Sequence, residues 1–172
     1  MQYPRRTSKA IKVGGVQIGG GAPVVIQSMT NTDTRDAAAT LAQIRELAAA
    51  GCEVVRVTVP DQAAANALPE ILSGSPLPVI ADIHFDYRLA LASIKAGIHA
   101  IRLNPGNIGS ADRVKAVAEA AGEAGIPIRV GANSGSLPKG LFQAKLASGL
   151  CTFYYIPFLL QLSLLLPLTV SL

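Results

Sequence analysis

Five short apolar runs punctuate the chain: APVVIQSM, EVVRVTVP, LPVIADI, HAIRLNP and IPIRVGAN. Each has strand length, is rich in Val and Ile, and is bounded by Pro, Gly or Asn. Between them lie residues 33–50, 61–72, 86–96 and 110–124, which are Ala- and Leu-rich with apolar positions at helical spacing. Asp36, Asp61 and Ser110 stand where N-caps or first-turn polar groups belong. Gly51, Gly97 and Gly125 stand where three of the helices should stop. One strand–helix step recurs about every 25 residues. Continuous apolar strands separated by helices predict a parallel sheet covered on both faces. Ahead of them, AIKVGGVQIGGG alternates apolar and polar residues around glycines and predicts a small hairpin.

Two architectures share this pattern, the doubly wound sheet and the TIM barrel. A dinucleotide fingerprint would follow the first strand, whereas GGVQIGGG precedes it in hairpin context. The residues at the strand exits favour the barrel. The first strand delivers Gln27, Ser28, Met29, Thr30 and Asn31. The second delivers Arg56 and Thr58, the third Asp82, His84 and Asp86. The fourth delivers Arg102, Asn104 and Asn107, and the fifth Arg129, Asn133, Ser134 and Ser136. In a barrel these ends share one rim, where barrel enzymes hold substrate. The expected fold is therefore α/β, a partial TIM barrel of about the first five strands with an N-terminal hairpin.

Arg56, Arg102 and Arg129 are each embedded in an apolar strand, as VVRVTV, AIRLN and PIRVG. A guanidinium is costly to bury without an anion. Three at equivalent positions are expected to converge on one anion, for which Arg offers planar, bidentate donors suited to phosphate. The competing reading pairs each with a structural acid, for which Glu53 and Asp82 are the only obvious strand candidates. Asn104 and Asn133 lie just past a strand Arg and can donate to and accept from a hydroxylated ligand; the alternative for both is turn formation. In the run DIHFD, residues two apart on a strand face the same way, so Asp82 and His84 are expected to converge. The spacing is not diagnostic of a metal. We read the pair as hydrogen-bonding or proton-handling groups, the only candidates for a catalytic role, or else as a pair that fixes the rim. His99 opens a strand and reads as structural.

Composition sharpens this in a few places. The chain has 172 residues, 50% of them apolar, and a net charge of +4. That is enough for one domain with a core and too weakly basic for a nucleic-acid coat. Residues 1–32 contain no acid but carry Arg5, Arg6, Lys9 and Lys12. Without an apolar signal core they read as a solvated strand pair rather than a targeting peptide. Cys52 and Cys151 lack CxxC spacing, so neither a disulfide framework nor a zinc site follows. Cys52 reads as a small core residue, consistent with a reducing, cytoplasmic setting.

The blocks QSMTNTDTRD, VVRVTVP, ADIHFDYR, IRLNPGNIG and IPIRVGANSGSL, in this order and spacing, resemble the 4-hydroxy-3-methylbut-2-enyl diphosphate synthase family. The resemblance covers about Tyr3 to Leu141 and is most specific in ADIHFDYR followed by RLNPGNIG. It implies a TIM barrel joined to a C-terminal iron–sulfur domain, a homodimer in the full-length family. It also implies reductive opening of 2-C-methyl-D-erythritol 2,4-cyclodiphosphate to hydroxymethylbutenyl diphosphate in isoprenoid biosynthesis. Electrons would come from ferredoxin or flavodoxin through a 4Fe-4S cluster. Arg56, Arg102 and Arg129 would bind the diphosphate, with Asp82, His84, Asn104 and Asn133 lining the same pocket. The family's cluster ligands, three Cys and one Glu of the C-terminal domain, have no match in this chain; Cys52 and Cys151 are not expected to replace them.

After Leu141 the strand–helix register stops, and from Leu146 to Leu172 there is no charged residue. A spanning helix needs about 20 predominantly apolar residues, but Pro157 and Pro167 interrupt this stretch and no basic residue follows it. The expected organisation is a substrate-binding partial barrel over 1–141 and a divergent apolar tail over 142–172, of the kind a frameshift or fragment end leaves. The chain alone is then expected to be inactive. Two other readings remain open at this point: a pterin-binding barrel of the dihydropteroate synthase type, and a non-catalytic membrane-associated protein resting on the tail.

Overall fold

The computed structural model describes residues 8–131. Asn133, Ser134, Ser136, Cys151 and the apolar tail lie outside the described residues. The chain opens with an antiparallel hairpin, β1 (Ile11–Val13) and β2 (Val16–Ile18), which pairs Val13 with Val16. Then follow β3 (Gln27–Met29), α1 (Ala37–Ala49), β4 (Val54–Thr58), α2 (Gln62–Gly74), β5 (Val79–Ile83) and α3 (Tyr87–Lys95). The last elements are β6 (Ala100–Leu103), α4 (Pro105–Ile108), α5 (Ala111–Glu123) and β7 (Ile128–Val130). The strands β3 to β7 form one parallel sheet in sequence order. The expected α/β fold, five barrel strands behind an N-terminal hairpin, is what the chain adopts, and within the described residues the barrel is open.

Local signals place the elements. The side chains of Asp36 and Asp61 cap α1 and α2 by accepting from Ala39 N and Ala64 N, and Asp86 caps α3 through Arg88 N. Ser110 holds the N-cap position of α5, but its hydroxyl makes no capping bond. Gly51, Gly97 and Gly125 follow their helices with φ of 93°, 89° and 66°, a region open to residues without a Cβ. The short helix α4 follows β6 directly: Asn104 at the N-cap followed by Pro at the first helical position is a helix start. The first apolar run also forms less strand than its composition suggests. The Ile26 carbonyl accepts from both Glu53 N and Val54 N, at 2.8 and 3.3 Å, and Ile26 N donates to the Glu53 carboxylate at 2.8 Å. This ends the regular ladder at Gln27, and Val24 and Ile26 stand 80% and 59% exposed.

Strand parity divides the sheet into two faces. Val55, Val57, Val79, Ala81, Ile101 and Leu103 point outward and pack under the helices against Ile44, Leu68, Ile71 and Val117. The other face is concave. Its lower part, Val54, Ile80 and Ala100, is closed by Val13 of the hairpin with Val16, Ile18 and Val25 beside it. Curvature follows from one contact. Arg129 on β7 donates through Nη1 to Gln27 Oε1 on β3 at 2.9 Å, although the two strands are opposite edges of the sheet. Held flat, five strands would set those edges about 19 Å apart, farther than the two side chains can bridge. The sheet therefore curls as half of a barrel, and the contact crosses its interior.

The outer core should carry the stability. Leu68→Ala, at a fully buried position, is expected to lower the unfolding free energy by about 2–5 kcal/mol. Val24→Ala, at an exposed one, should change it by less than about 0.5 kcal/mol. Urea melts of the two variants check the contrast.

Candidate functional site

The concave face is built in rungs, as barrel interiors are, with alternate strands supplying alternate rungs. Strand pairing combined with the tilt and stagger of a barrel places Val54 and Ala100 at the bottom on β4 and β6, then Gln27, Ile80 and Arg129 on β3, β5 and β7. Two residues further along their strands come Arg56 and Arg102, and next Met29 and Asp82, with Gly131 just past β7. The apolar bottom thus gives way to a charged level halfway up, before the strand ends reach the rim.

At that level two arginines share one carboxylate. Arg56 Nε lies 3.2 Å from Asp82 Oδ2, and Arg102 Nη1 donates to Asp82 Oδ1 at 3.0 Å. Asp82 is almost fully buried, while each arginine side chain keeps 23% exposure. Arg56 Nε is buried, and its contact with Asp82 is an ion pair without good hydrogen-bond geometry. Arg56 Nη2 reaches Met29 Sδ at 3.3 Å. The Arg102 guanidinium lies close over Gly131: a Cβ built there would stand 2.6 Å from Nη2 and 2.8 Å from Nε. Two guanidinium groups on one carboxylate leave a net positive charge facing the concave side.

The expected site residues separate accordingly. Arg56, Asp82 and Arg102 come together. Arg129 shares their face but stands one rung lower, bound to Gln27. Asn104 is buried at the end of β6, and its Oδ1 accepts from Gly106 N at 3.1 Å, so the turn reading holds for that oxygen. Asp82 is engaged by Arg56 and Arg102, whereas the His84 ring sits 6.1 Å from that of Phe85, centroid to centroid, and Phe85 is 71% exposed. Asn133 lies outside the described residues. His99 is structural: its Nδ1 accepts from Val79 N at 3.1 Å. Gly131 escaped sequence reasoning, and its only signal there is a glycine two residues beyond a strand arginine.

A cavity of ≈ 600 Å³ opens below the charged level, between the hairpin and the lower sheet. Val13, Ile18, Val54, Ile80 and Ala100 wall it, with Gln27 and Arg129 at one side. Arg56, Asp82 and Arg102 do not line it, and the polar chemistry belongs to their level rather than to this apolar space. Among the described residues no group of three His, Cys, Asp or Glu side chains could hold a metal ion. Cys52 is buried, with Sγ 3.1 Å from the Val54 carbonyl oxygen. No helix of the described residues is long and apolar enough to cross a membrane.

Around the rim, exposed ion pairs tie the loops. Arg35 binds Asp33 at 3.0 Å and Asp61 at 2.5 Å, joining the loop after β3 to the N-terminus of α2. The Arg35 hydrogen bond, with the capping bond from Ala64 N, holds the Asp61 carboxyl below the usual carboxylate range. Arg88 does the same for Asp86.

A family model described as the GcpE TIM-barrel domain matches residues 8–152. The chain belongs to the GcpE family. That match runs past Leu141. A protein of Maridesulfovibrio salexigens named 4-hydroxy-3-methylbut-2-en-1-yl diphosphate synthase (flavodoxin) is 59% identical over 137 residues, 80% of this chain. One of the same name from Geobacter sulfurreducens is 60% identical over 136 residues, 79% of this chain. The chain spans about 38% of the length of these relatives. Among solved structures, a dihydropteroate synthase from Vibrio fischeri superposes with a TM-score of 0.52 at 13% identity, over 72% of this chain and 48% of that one. That likeness is one of fold alone.

Two outcomes follow from the electrostatics. Asp82→Ala leaves two half-buried guanidinium groups without their anion and should cost on the order of 3 kcal/mol in a urea melt. The second concerns pH. Asp61 and Asp86 have folded-state pKa values below their unfolded ones. Their contribution is complete above the unfolded value of about 4 and is lost as pH falls through the depressed folded value. Urea midpoints measured from pH 7 down to 2 should drop in that acid range. Asp61→Asn, which keeps a capping side chain, should flatten the drop.

Proposed function

We propose that the concave face of this chain binds the diphosphate of 2-C-methyl-D-erythritol 2,4-cyclodiphosphate. The reaction served is the reductive ring opening that yields 4-hydroxy-3-methylbut-2-enyl diphosphate in isoprenoid biosynthesis. The observation that carries the reading is the pair of arginines on one buried carboxylate, left with net positive charge inside a curved sheet. The identity to relatives that bear the synthase name supports it.

In this reading Arg56 and Arg102 hold the anion through guanidinium N–H groups that are not turned toward Asp82. Arg129 and Asn133 add contacts from the fifth barrel strand and the segment after it. Asn104 contributes its amide NH2, since its oxygen is engaged with Gly106. Asp82 and His84 are the polar groups nearest to proton handling. The apolar side chains under the charged level, Val54, Ile80 and Ala100, lower the local polarity and so strengthen the charge attraction. Residues 1–141 form the substrate barrel in this proposal, and 142–172 a separate apolar tail. The protein works in the cytoplasm, and the whole enzyme is a homodimer.

Electrons for this reaction would come from ferredoxin or flavodoxin through a 4Fe-4S cluster; the names of the relatives print flavodoxin. The described residues do not fit such a cluster. It requires about four protein ligands, mostly thiolates, and Cys52, the one described cysteine, is buried against backbone carbonyls. The described part of the chain is therefore assigned to binding alone. The pterin-barrel alternative rests on likeness of fold without likeness of sequence.

Calorimetric titration of the full chain with the cyclodiphosphate, and with inorganic pyrophosphate as the bare anion, tests the proposal. Arg102→Ala removes a charge-assisted contact worth about 1.5–3 kcal/mol and should weaken binding about 10- to 100-fold. Lys115→Ala removes an exposed charge 3.7 Å from Glu119 and should change it by less than about threefold. Equal losses in the two variants, or no binding by the unaltered chain, would sink the reading.

A further inference from the structure

We infer that Gly131 is a positioning residue: its missing side chain is the slot that seats the Arg102 guanidinium and fixes how it faces the anion. The inference rests on the proposed diphosphate-binding role of Arg102 for its functional meaning, but not for its geometry.

Arg102 leaves β6 on the concave face between two neighbours of different character. On the β5 side Asp82 takes Nη1 at 3.0 Å. On the β7 side the backbone approaches through the ladder that pairs Arg102 with Arg129 and continues with Gly131 N donating to the Leu103 carbonyl at 2.9 Å. Gly131 is the next inward position on that side, two residues past Arg129. The atoms that a Cβ would meet there are Nη2 at 2.6 Å, Nε at 2.8 Å and Cζ at 3.0 Å, all of one guanidinium group. The plane of the head therefore lies against bare backbone. Any side chain at 131 would occupy the space of the guanidinium itself.

Two consequences follow. The carboxylate alone fixes one nitrogen and leaves rotation about the remaining torsions. The glycine surface removes that freedom, because the head rests against β7 while Nη1 is held on β5. Such pre-organisation lowers the ordering cost when an anion arrives. Gly131 has no positive φ among the described glycines, so no unusual backbone conformation explains a glycine here. Its role is close approach rather than turn formation. The obstacle to a methyl group is the far end of a flexible side chain, so Gly131→Ala should fold while displacing Arg102.

The test uses the full chain in two measurements. The first is NMR of arginine side chains, with the Arg102 Nε–H signal assigned by its loss in Arg102→Lys. In the unaltered chain that proton should exchange slowly and the Nη groups should show restricted rotation. In Gly131→Ala, with a melting temperature within a few degrees of the original, both features should be lost. Unchanged Arg102 signals in a folded Gly131→Ala chain overturn the slot. The second is pyrophosphate binding in a double-mutant cycle. Gly131→Ala should weaken binding about tenfold beside Arg102, and by less than about twofold beside Arg102→Lys, whose slimmer head does not fill the slot. Equal losses in both backgrounds also overturn it. If the unaltered chain binds no pyrophosphate while the NMR contrast is present, the diphosphate reading fails and the slot stands. Should Gly131→Ala fail to fold, Gly131→Ser in the Arg102→Lys background decides: a chain that still does not fold refutes the slot, and recovery of folding supports it.

Discussion

A single buried carboxylate, Asp82, organises the concave face. A strand that would otherwise read as continuous core, VIADI, carries this acid inward at the point where β4 and β6 each send in an arginine. Neither guanidinium group is affordable at that depth alone, and neither arginine has another acid in reach among the described residues. The carboxylate in turn would be forced out or neutralised without them. Each of the three groups is tolerable because the other two are present. The arrangement also specifies register: slipping any of the three strands by one residue would turn its charge into the helix-packed face.

Curvature makes this level a site rather than a surface ion pair. The hydrogen bond between Gln27 and Arg129 shows that the edges of the sheet approach each other across the interior. Side chains that would stand parallel on a flat sheet therefore lean together. The hairpin β1–β2 packs Val13, with Val16 and Ile18 beside it, against the lower part of the concave face. At the strand ends the loops are tied to one another, as Arg35 does between Asp33 and Asp61. A largely apolar floor, a charged level and tethered loops together suit the binding of an anion at the carboxyl end of a parallel sheet, and the same strands provide them.

The fold was largely legible because its signals are local and redundant. Apolar runs set the strands, Asp36 and Asp61 set helix starts, and Gly51, Gly97 and Gly125 set helix ends. The misses have physical causes. Val24 and Ile26 carry β propensity, but Glu53 bonds the Ile26 backbone and ends the ladder there. The helix α4 is one turn long, too short to show a period. At the site, residue types were legible and distances were not. The arginines could be chosen from their apolar surroundings, and Asp82 was named as one of two acids able to pair with them. That the other, Glu53, caps an edge strand depends on the backbone path. The separation of Arg129 from its fellows depends on strand stagger, which no one-dimensional pattern reveals. Gly131 was illegible because its meaning lies in a side chain on a neighbouring strand.

The charge count gives the last step. Had each arginine its own acid, the level would be neutral, a structural network with no reason to attract a ligand. Had none, burial would be prohibitive. One acid for two arginines stabilises both and still leaves one positive charge, and the geometry keeps that surplus from relaxing away. Arg102 is held on one side by the carboxylate and on the other by bare backbone at Gly131. Arg56 is held by Asp82 through Nε and by Met29 through Nη2. A surplus charge fixed above apolar side chains is one that an incoming anion can neutralise. Arg129 stands apart from this balance, one rung below and bonded to an uncharged amide. Its full charge remains available on the same face, placed to reinforce the field from beneath rather than to share the first contact.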